Sequence, residues 1–363
     1  MLVWPTSAHH WRCEADREEI TMAKDDRRRA TMRDVAHRAG VSIKTVSRVV
    51  NGEPNVAEAT IAKVREATEA LRYLPDAAAA NLARGVRDTR SIALLISAMD
   101  NPFYASIFRG VEEVATLRGV VVFAASTHMD LAKEAALVAA FMSRRVDGFV
   151  VVPAPGDHRG VADLLGTHLP CVYVDCAPEG IAADVVTADN RAAARTATRH
   201  LLAGGHRRIG FLGDDAQLST AADRLAGYRD ELGRAGIVPA DELVELGVLV
   251  ASDAEAGTAR LLGLDDPPTA LFASRNMAAI GAMRILKQRG LSHRVALVGM
   301  DEMDMSDLVD PALSVMAQDP RGFGSAAAQR LFQRIDGLDE APATLIVPAR
   351  LIERGSGEIR APS

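Results

Sequence analysis

The sequence predicts two fold classes in one chain: a small all-α helix-turn-helix domain, then an α/β two-lobed body built on parallel sheets. Three observations carry this. Residues 31–76 hold three helix-sized segments with apolar residues at helical spacing, separated by turn and cap residues. From residue 91 on, short apolar strand segments alternate with helix segments, as in parallel sheets covered on both faces. That alternation runs as two series, the second starting near Asp189, which predicts two lobes. A chain of 363 residues with 48 % hydrophobic and 25 % charged residues is in the globular range and long enough for two or three domains.

Charge separates the front from the rest. Residues 24–90 hold 14 Lys+Arg and 9 Asp+Glu, a net of +5, against −6 for the whole chain. A basic front end on an acidic body suggests that only the front end meets phosphate; chance clustering is the alternative. Residues 1–30 are expected to be a disordered extension, with Met22 an alternative start and no apolar core of a secretory signal. No apolar run reaches membrane-spanning length. The three cysteines, Cys13, Cys171 and Cys176, show neither CxxC pairs nor histidines at metal-finger spacing. They read as packed thiols of a reducing cytoplasm, and no metal or cofactor is expected.

In residues 31–76, Thr31 and Asp34 have the spacing of a capping box. Val35, Ala36 and Ala39 give one apolar face, and Gly40 supplies the left-handed stop. Ser42 caps a second helix, Ile43 to Asn51, with Val46, Val49 and Val50 facing inward. A third helix follows Pro54, with Ile61, Val64, Thr68 and Leu71 at helical spacing, and Pro75 ends it. Two short helices joined by a tight turn form a helix-turn-helix, whose second helix fits the major groove. Lys44 can donate to guanine O6 or N7, Ile43 can meet a thymine methyl, and Arg48 lies one turn on. Ser42, Thr45, Ser47 and Asn51 suit phosphate oxygens, which set register. A helix-turn-helix used only for packing, with a solvated basic face, is the competing reading.

The stretch DVAHRAGVSIKTVSRVVNG resembles the N-terminal signature of the lactose-repressor (LacI) family. Asp34, Val35, Ala36, Ala39, Gly40, Val41, Ser42, Thr45, Val46, Ser47, Arg48, Val49 and Asn51 match it without a gap. The resemblance implies that Ile43 and Lys44 set operator preference. It also gives a role to residues 77–90, where Asp76 caps an alanine-rich run closed by Gly85. That run is too short to be a stable isolated helix. In the family it is a hinge helix that orders in the minor groove, with a leucine at the place of Leu82 wedged into a base step. Packing of Leu82 on the domain behind is the alternative. Ala80 departs from the arginine many relatives carry, which puts one hinge contact in doubt.

Residues 91–363 read as strands 92–97, 120–125, 148–153 and 171–175 with helices near 102–118 and 131–143. The second series has strands 209–213, 270–274 and 295–301 among helices 190–203, 222–235, 254–262 and 276–289. No internal sequence repeat is evident. Open sheets of this kind bind ligands beyond the C-terminal strand ends, so the cleft between lobes is the expected site. The blocks NPFYASIFRGVEE, RVDGFVVVP, GGHRRIGFLG, DRLAGY, VGMDE and RLIERGS extend the family resemblance over nearly the whole chain. It implies a periplasmic-binding-protein-like sensor whose chain crosses between lobes near 187–190, 316–319 and 347–349. Residues 90–187 with 319–346 then form the first lobe.

The same resemblance points to the effector contacts. Phe103 and Tyr104 follow the first strand, where a ring can stack on a sugar or a base. Asp175 and Asp301 end strands, and their carboxylates can accept hydroxyl protons. Arg224 offers a planar fork, and Asp189 and Gln318 lie at the crossings. Capping or lobe-to-lobe polarity is the plain alternative for each. Ser252 stands where relatives often have an aromatic, and Ser274-Arg275 where they have Asn-Asp. Arg275 adds positive charge near the pocket, which makes an acidic or phosphorylated ligand conceivable beside a neutral sugar. His206-Arg207-Arg208 is expected to be a solvated turn.

The expected function is therefore a cytoplasmic, sequence-specific transcriptional regulator, a repressor of carbohydrate-utilisation genes. It would act as a homodimer on near-palindromic double-stranded operator DNA, controlled by a sugar or sugar derivative held between the lobes. A periplasmic-type solute receptor is the alternative, but it has no use for residues 31–84. An enzyme is not expected: the sequence has no P-loop, GxGxxG, nucleophile elbow or metal spacing.

Overall fold

The computed structural model describes residues 30–50, 53–73, 89–166, 169–215 and 217–362. The chain divides into two units, residues 1–87 and 88–363. The N-terminal extension up to residue 29, Asn51, and the hinge segment with Ala80 and Leu82 lie outside the described residues.

In the first unit, α1 (Met32–Ala39), α2 (Ile43–Val50) and α3 (Glu58–Ala70) follow the predicted order. Thr31 and Asp34 form the capping box: the Asp34 amide donates to Thr31 Oγ1 and the Thr31 amide to Asp34 Oδ2. Gly40, with φ 61°, ends α1 by donating to the Ala36 and His37 carbonyls. That left-handed conformation costs glycine no Cβ clash. Ser42 Oγ accepts the Thr45 amide at 3.1 Å and starts α2. Val35, Ala36, Val46, Val64, Ala67 and Tyr73 are buried against one another. Tyr73, beyond the last helix, is a core member that helical spacing does not reveal.

The second unit opens with β1 (Ser91–Ile96), α4 (Pro102–Leu117), β2 (Val121–Ser126), α5 (Leu131–Ser143), β3 (Phe149–Val151), α6 (Arg159–Leu165), β4 (Cys171–Val174) and β5 (Asp184–Thr187). There follow α7 (Asn190–Ala203), β6 (Ile209–Leu212), α8 (Ser219–Arg234), β7 (Val244–Glu245), α9 (Ala251–Leu261), β8 (Ala270–Ala273), α10 (Asn276–Gln288), β9 (Ala296–Met300) and β10 (Ser314–Ala317). It closes with α11 (Pro320–Ile335), β11 (Thr344–Ile346) and β12 (Arg350–Ile352).

These strands form two six-stranded sheets, ordered β11-β5-β4-β3-β1-β2 and β12-β10-β9-β8-β6-β7. Every pairing is parallel except β10–β12. Without the edge strands β11 and β12, both lobes have the same winding, so the structure carries a repeat that the sequence does not display. Apolar strands and right-handed crossovers suffice for that winding, and residue identity is free to drift. The chain crosses between Thr187 and Asn190, between Ala317 and Pro320, and between Ile346 and Arg350. β1 is buried at every position, because helices cover both faces of its sheet.

Close helix pairs set the lobes' shape. A methyl group at Gly110 would overlap the Arg321 carbonyl, and one at Gly324 the Ile107 carbonyl. Glycine at these two places is what lets α4 and α11 approach. The 206–208 segment departs from the solvated turn expected of it. His206 is fully buried, with Nδ1 2.8 Å from the Thr269 hydroxyl and Nε2 2.8 Å from the Ile359 carbonyl. Burial lowers its pKa from the usual histidine value. The ring fastens the C-terminal segment beside the start of β6, a contact between residues 153 positions apart that local spacing cannot predict. Arg208 stays at the surface, paired with Glu242 and Asp266.

Candidate functional site

Two regions carry the chemistry expected of the chain. In the first unit it is the start of α2. Ser42 and Lys44 are exposed and Ile43 is 44 % exposed, an apolar side chain left in water at the helix's leading turn. Thr45 Oγ1 lies 2.9 Å from Ser42 Oγ, and Ser47 is half-buried. Arg48 differs from the expectation of a free base reader. Its guanidinium donates to the Pro54 carbonyl at 3.0 Å and pairs with Glu53 at 3.3 Å, so in the free protein it anchors the loop after α2.

In the second unit, the strand ends of the two sheets face one cleft of about 440 Å³, counted to its open mouth. Phe103, Tyr104, Asp175, Arg224, Asp301 and Gln318 all line it. Asp189 does not: it is exposed, and its carboxylate caps α7 by accepting the Ala192 amide at 2.9 Å. Ser252 is exposed in the first turn of α9, also outside the lining.

The lobes present their acids in the same way. Asp175 follows β4 with φ 74° and Asp301 follows β9 with φ 72°. Each amide donates to the neighbouring strand, Asp175 to the Val186 carbonyl at 2.8 Å and Asp301 to the Met316 carbonyl at 3.0 Å. Left-handed backbone at a residue with a Cβ is strained, and such strain concentrates at functional sites. Burial pushes the Asp175 carboxyl up to about 6, although Arg224 pulls it down. Burial also raises Asp301, against Arg224 and the Gln318 amide. Gln318 Nε2 donates to Asp301 Oδ1 at 2.5 Å, while Gln318 Oε1 has no partner among the described residues and is left to accept from a ligand.

Arg224, 6 % exposed, is held from two sides. Nε donates to Asn190 Oδ1 and one terminal nitrogen to the Ser274 carbonyl, each at 2.8 Å. Asn190 in turn donates to Ala188 and Thr187 at the lobe crossing. Arg275 corrects the sequence reading. Its charge is not open to an acidic ligand, because it pairs with Asp214 at 2.6 Å, and it also donates to the Val248 carbonyl at 3.2 Å. Phe103 and Tyr104 stand edge to face, with centroids 5.4 Å apart. Burial first, then the nearby Asp175 charge, lifts the Tyr104 phenol well above its usual value, so it acts as a neutral donor. Asn101, Asp214, Thr220 and Asn276 also line the cleft. Sequence spacing does not single them out, because only the folded strand ends bring them together.

Among the described residues no helix is long and apolar enough to cross a membrane, and no His/Cys/Asp/Glu cluster fits a metal ion.

Comparison with known proteins adds an independent line. Residues 31–76 match the family described as bacterial regulatory proteins, lacI family. Residues 198–357 match a periplasmic binding protein-like domain. The chain is 32 % identical over 309 residues to the HTH-type transcriptional repressor PurR of Aliivibrio salmonicida, covering 84 % of this chain and 92 % of that one. It is 31 % identical over 330 residues to the ribose operon repressor of Haemophilus influenzae, covering 90 % and 98 %. A solved lac repressor dimer bound to operator and the anti-inducer ONPF matches with a TM-score of 0.80 at 27 % identity, over 91 % of this chain and 99 % of that one. These proteins are transcription regulators over the full length of the match. That sets aside both the solute-receptor reading and the enzyme reading.

Proposed function

The chain belongs to the lacI family of bacterial regulatory proteins, and from that premise we propose that it is a cytoplasmic homodimeric repressor answering to a neutral polyhydroxylated effector. Two helix-turn-helix units occupy the halves of a near-palindromic operator, since protein two-fold symmetry is mirrored in the DNA. Ile43 and Lys44 read bases, and Ser42, Thr45, Ser47 and Asn51 hold phosphates. The effector sits in the cleft between the lobes, and its preference for one lobe arrangement sets the operator affinity.

The observation that carries the effector class is the cleft's charge balance. Asp175, Asp214 and Asp301 face Arg224 and Arg275, and Asp214 already neutralises Arg275. The buried acids repel a phosphate or carboxylate and suit hydroxyl donors. The Phe103 ring gives an apolar wall, as sugar sites require beside their polar groups. The ribose operon repressor named above, and a CelR–cellobiose complex that matches with a TM-score of 0.68 at 29 % identity, support a carbohydrate class.

A thermal-shift panel of neutral sugars, sugar phosphates and sugar acids tests this. A ligand that binds only the native state raises the melting temperature. A neutral sugar is expected to raise it, and its phosphorylated counterpart to have no effect. A rise confined to phosphorylated or acidic members would refute the assignment.

A further inference from the structure

The two lobes touch at two places beside the cleft. At one, Asn276 Nδ2 at the start of α10 donates to Asn101 Oδ1 at 2.8 Å. At the other, the Ala177 amide donates to Ser219 Oγ at 3.1 Å, Cys176 Sγ lies 3.4 Å from Thr220 Oγ1, and Met129 packs on Cys176, Leu218 and Ala221.

The first contact differs in what it joins. Asn101 Oδ1 also accepts the Phe103 amide at 3.0 Å and so caps α4. Asn276 is 6 % exposed and, like Asp301, lines the cleft. Its own Oδ1 accepts the Met277 amide at 2.7 Å, which orients the side-chain nitrogen towards Asn101. Hydrogen bonds thus lead from Asn276 in the second lobe, through Asn101, to the helix start that carries Phe103 and Tyr104 in the first.

We propose that the Asn276–Asn101 hydrogen bond is the latch that holds the lobes closed and makes the two halves of the effector site move as one. The proposal rests on the assignment of the cleft as the effector site. An effector touching Asn276 or Phe103 then biases the same bond from either side. Asn101 is a positioning residue that orients the start of α4, and Asn276 holds it from the other lobe. A buried amide pair of this kind is directional, and losing one member leaves the other without its partner.

Hydrogen–deuterium exchange on the full-length protein, with no ligand and no DNA, reads the latch directly. Its outcome does not depend on which effector binds or whether one does, so failure of the latch and failure of the effector assignment are separable. Asn276→Ala and Asn276→Leu remove the donor and leave the α4 cap intact. Asn101→Asp keeps an acceptor for both Phe103 and Asn276. If the latch controls closure, both Asn276 variants exchange faster at the Ala177 amide, in the other contact between the lobes, by about 2- to 10-fold, the loss of one net hydrogen bond. Asn101→Asp keeps the wild-type rate there. Faster exchange confined to residues 274–278 and 101–105, with Ala177 unchanged in both Asn276 variants, would mean a local role only and would overturn the proposal. So would an Asn101→Asp protein that opens like Asn276→Ala.

Discussion

Replacing Asp184 by alanine is expected to destabilise the second unit by about 3–5 kcal/mol, the range for breaking a buried ion pair from one side. Asp184 is 4 % exposed at the start of β5. Its carboxylate accepts from Arg330 Nε at 3.0 Å, Arg334 Nε at 2.7 Å and the Ala343 amide at 3.0 Å. It therefore joins β5 to α11 and to the segment leading into β11, the part of the first lobe added after the chain returns from the second. Alanine would leave Arg330 with Glu340 at 3.6 Å as its remaining ion pair, and Arg334 with only the Leu338, Glu340 and Ala341 carbonyls. Asn would keep part of the hydrogen bonding and cost less. Burial raises the Asp184 carboxyl, but the Arg334 side chain, the Ala343 amide and Arg330 outweigh it and hold the pKa below the usual value. A depressed carboxylate stabilises the fold above its ordinary pKa and loses that contribution as pH falls through its folded value. The penalty of the alanine variant, measured by urea unfolding, should thus be full at pH 7 and shrink below about pH 4. An equal penalty at all pH values would remove the ion pair as its cause.

Asp175→Asn should act in the opposite direction and stabilise the ligand-free protein. The carboxyl of Asp175 is raised from 3.8 to about 6, so the folded state holds its proton more tightly than the unfolded chain. The ionised form then costs stability as pH rises above the ordinary value, and the cost is complete above about 6. A shift of this size amounts to about 3 kcal/mol. The gain on substitution should be about that at pH 8 and about half of it at pH 5. Asparagine also tolerates the left-handed backbone that Asp175 adopts. The variant should gain stability and lose effector binding together, the trade-off of a residue kept for its ligand. No gain at pH 8, or the same gain at both pH values, would show that the carboxylate is not strained by its burial.

Much of this architecture was legible in residues. The capping box at Thr31 and Asp34, the stop at Gly40 and the cap at Ser42 are local signals, and local chemistry decides them. The alternation of strands and helices gave the two sheets, because a strand covered on both faces is a continuous apolar run. Asp175 and Asp301 were findable as acids at strand ends. β5, β7, β10, β11 and β12 were not, since each has at most four residues and is defined by pairing with a strand elsewhere in the chain. Asp214, Asn101 and Asn276 are not singled out for the same kind of reason: nothing in their neighbours marks them until the two lobes bring their strand ends to one place. Sequence position puts the Arg275 charge near the pocket but does not reveal its partner Asp214, which stands 61 residues away. Arg48 was read as a free reader because the return of the loop to Glu53 and Pro54 is not encoded in helical spacing.

On the proposed function, a ligand in the cleft of residues 88–363 controls DNA binding by residues 31–76. Anisotropy titration of labelled operator, with and without the stabilising sugar, tests it most directly, using wild type and Arg224→Ala. Allosteric couplings typically amount to about 5- to 150-fold in affinity, and a shift of that size is predicted for the wild type. Arg224→Ala should bind operator as the wild type does without ligand, weaken with added salt in the same way, and show no shift with the sugar. An Arg224→Ala protein whose operator affinity responds to the sugar as the wild type does would contradict the account.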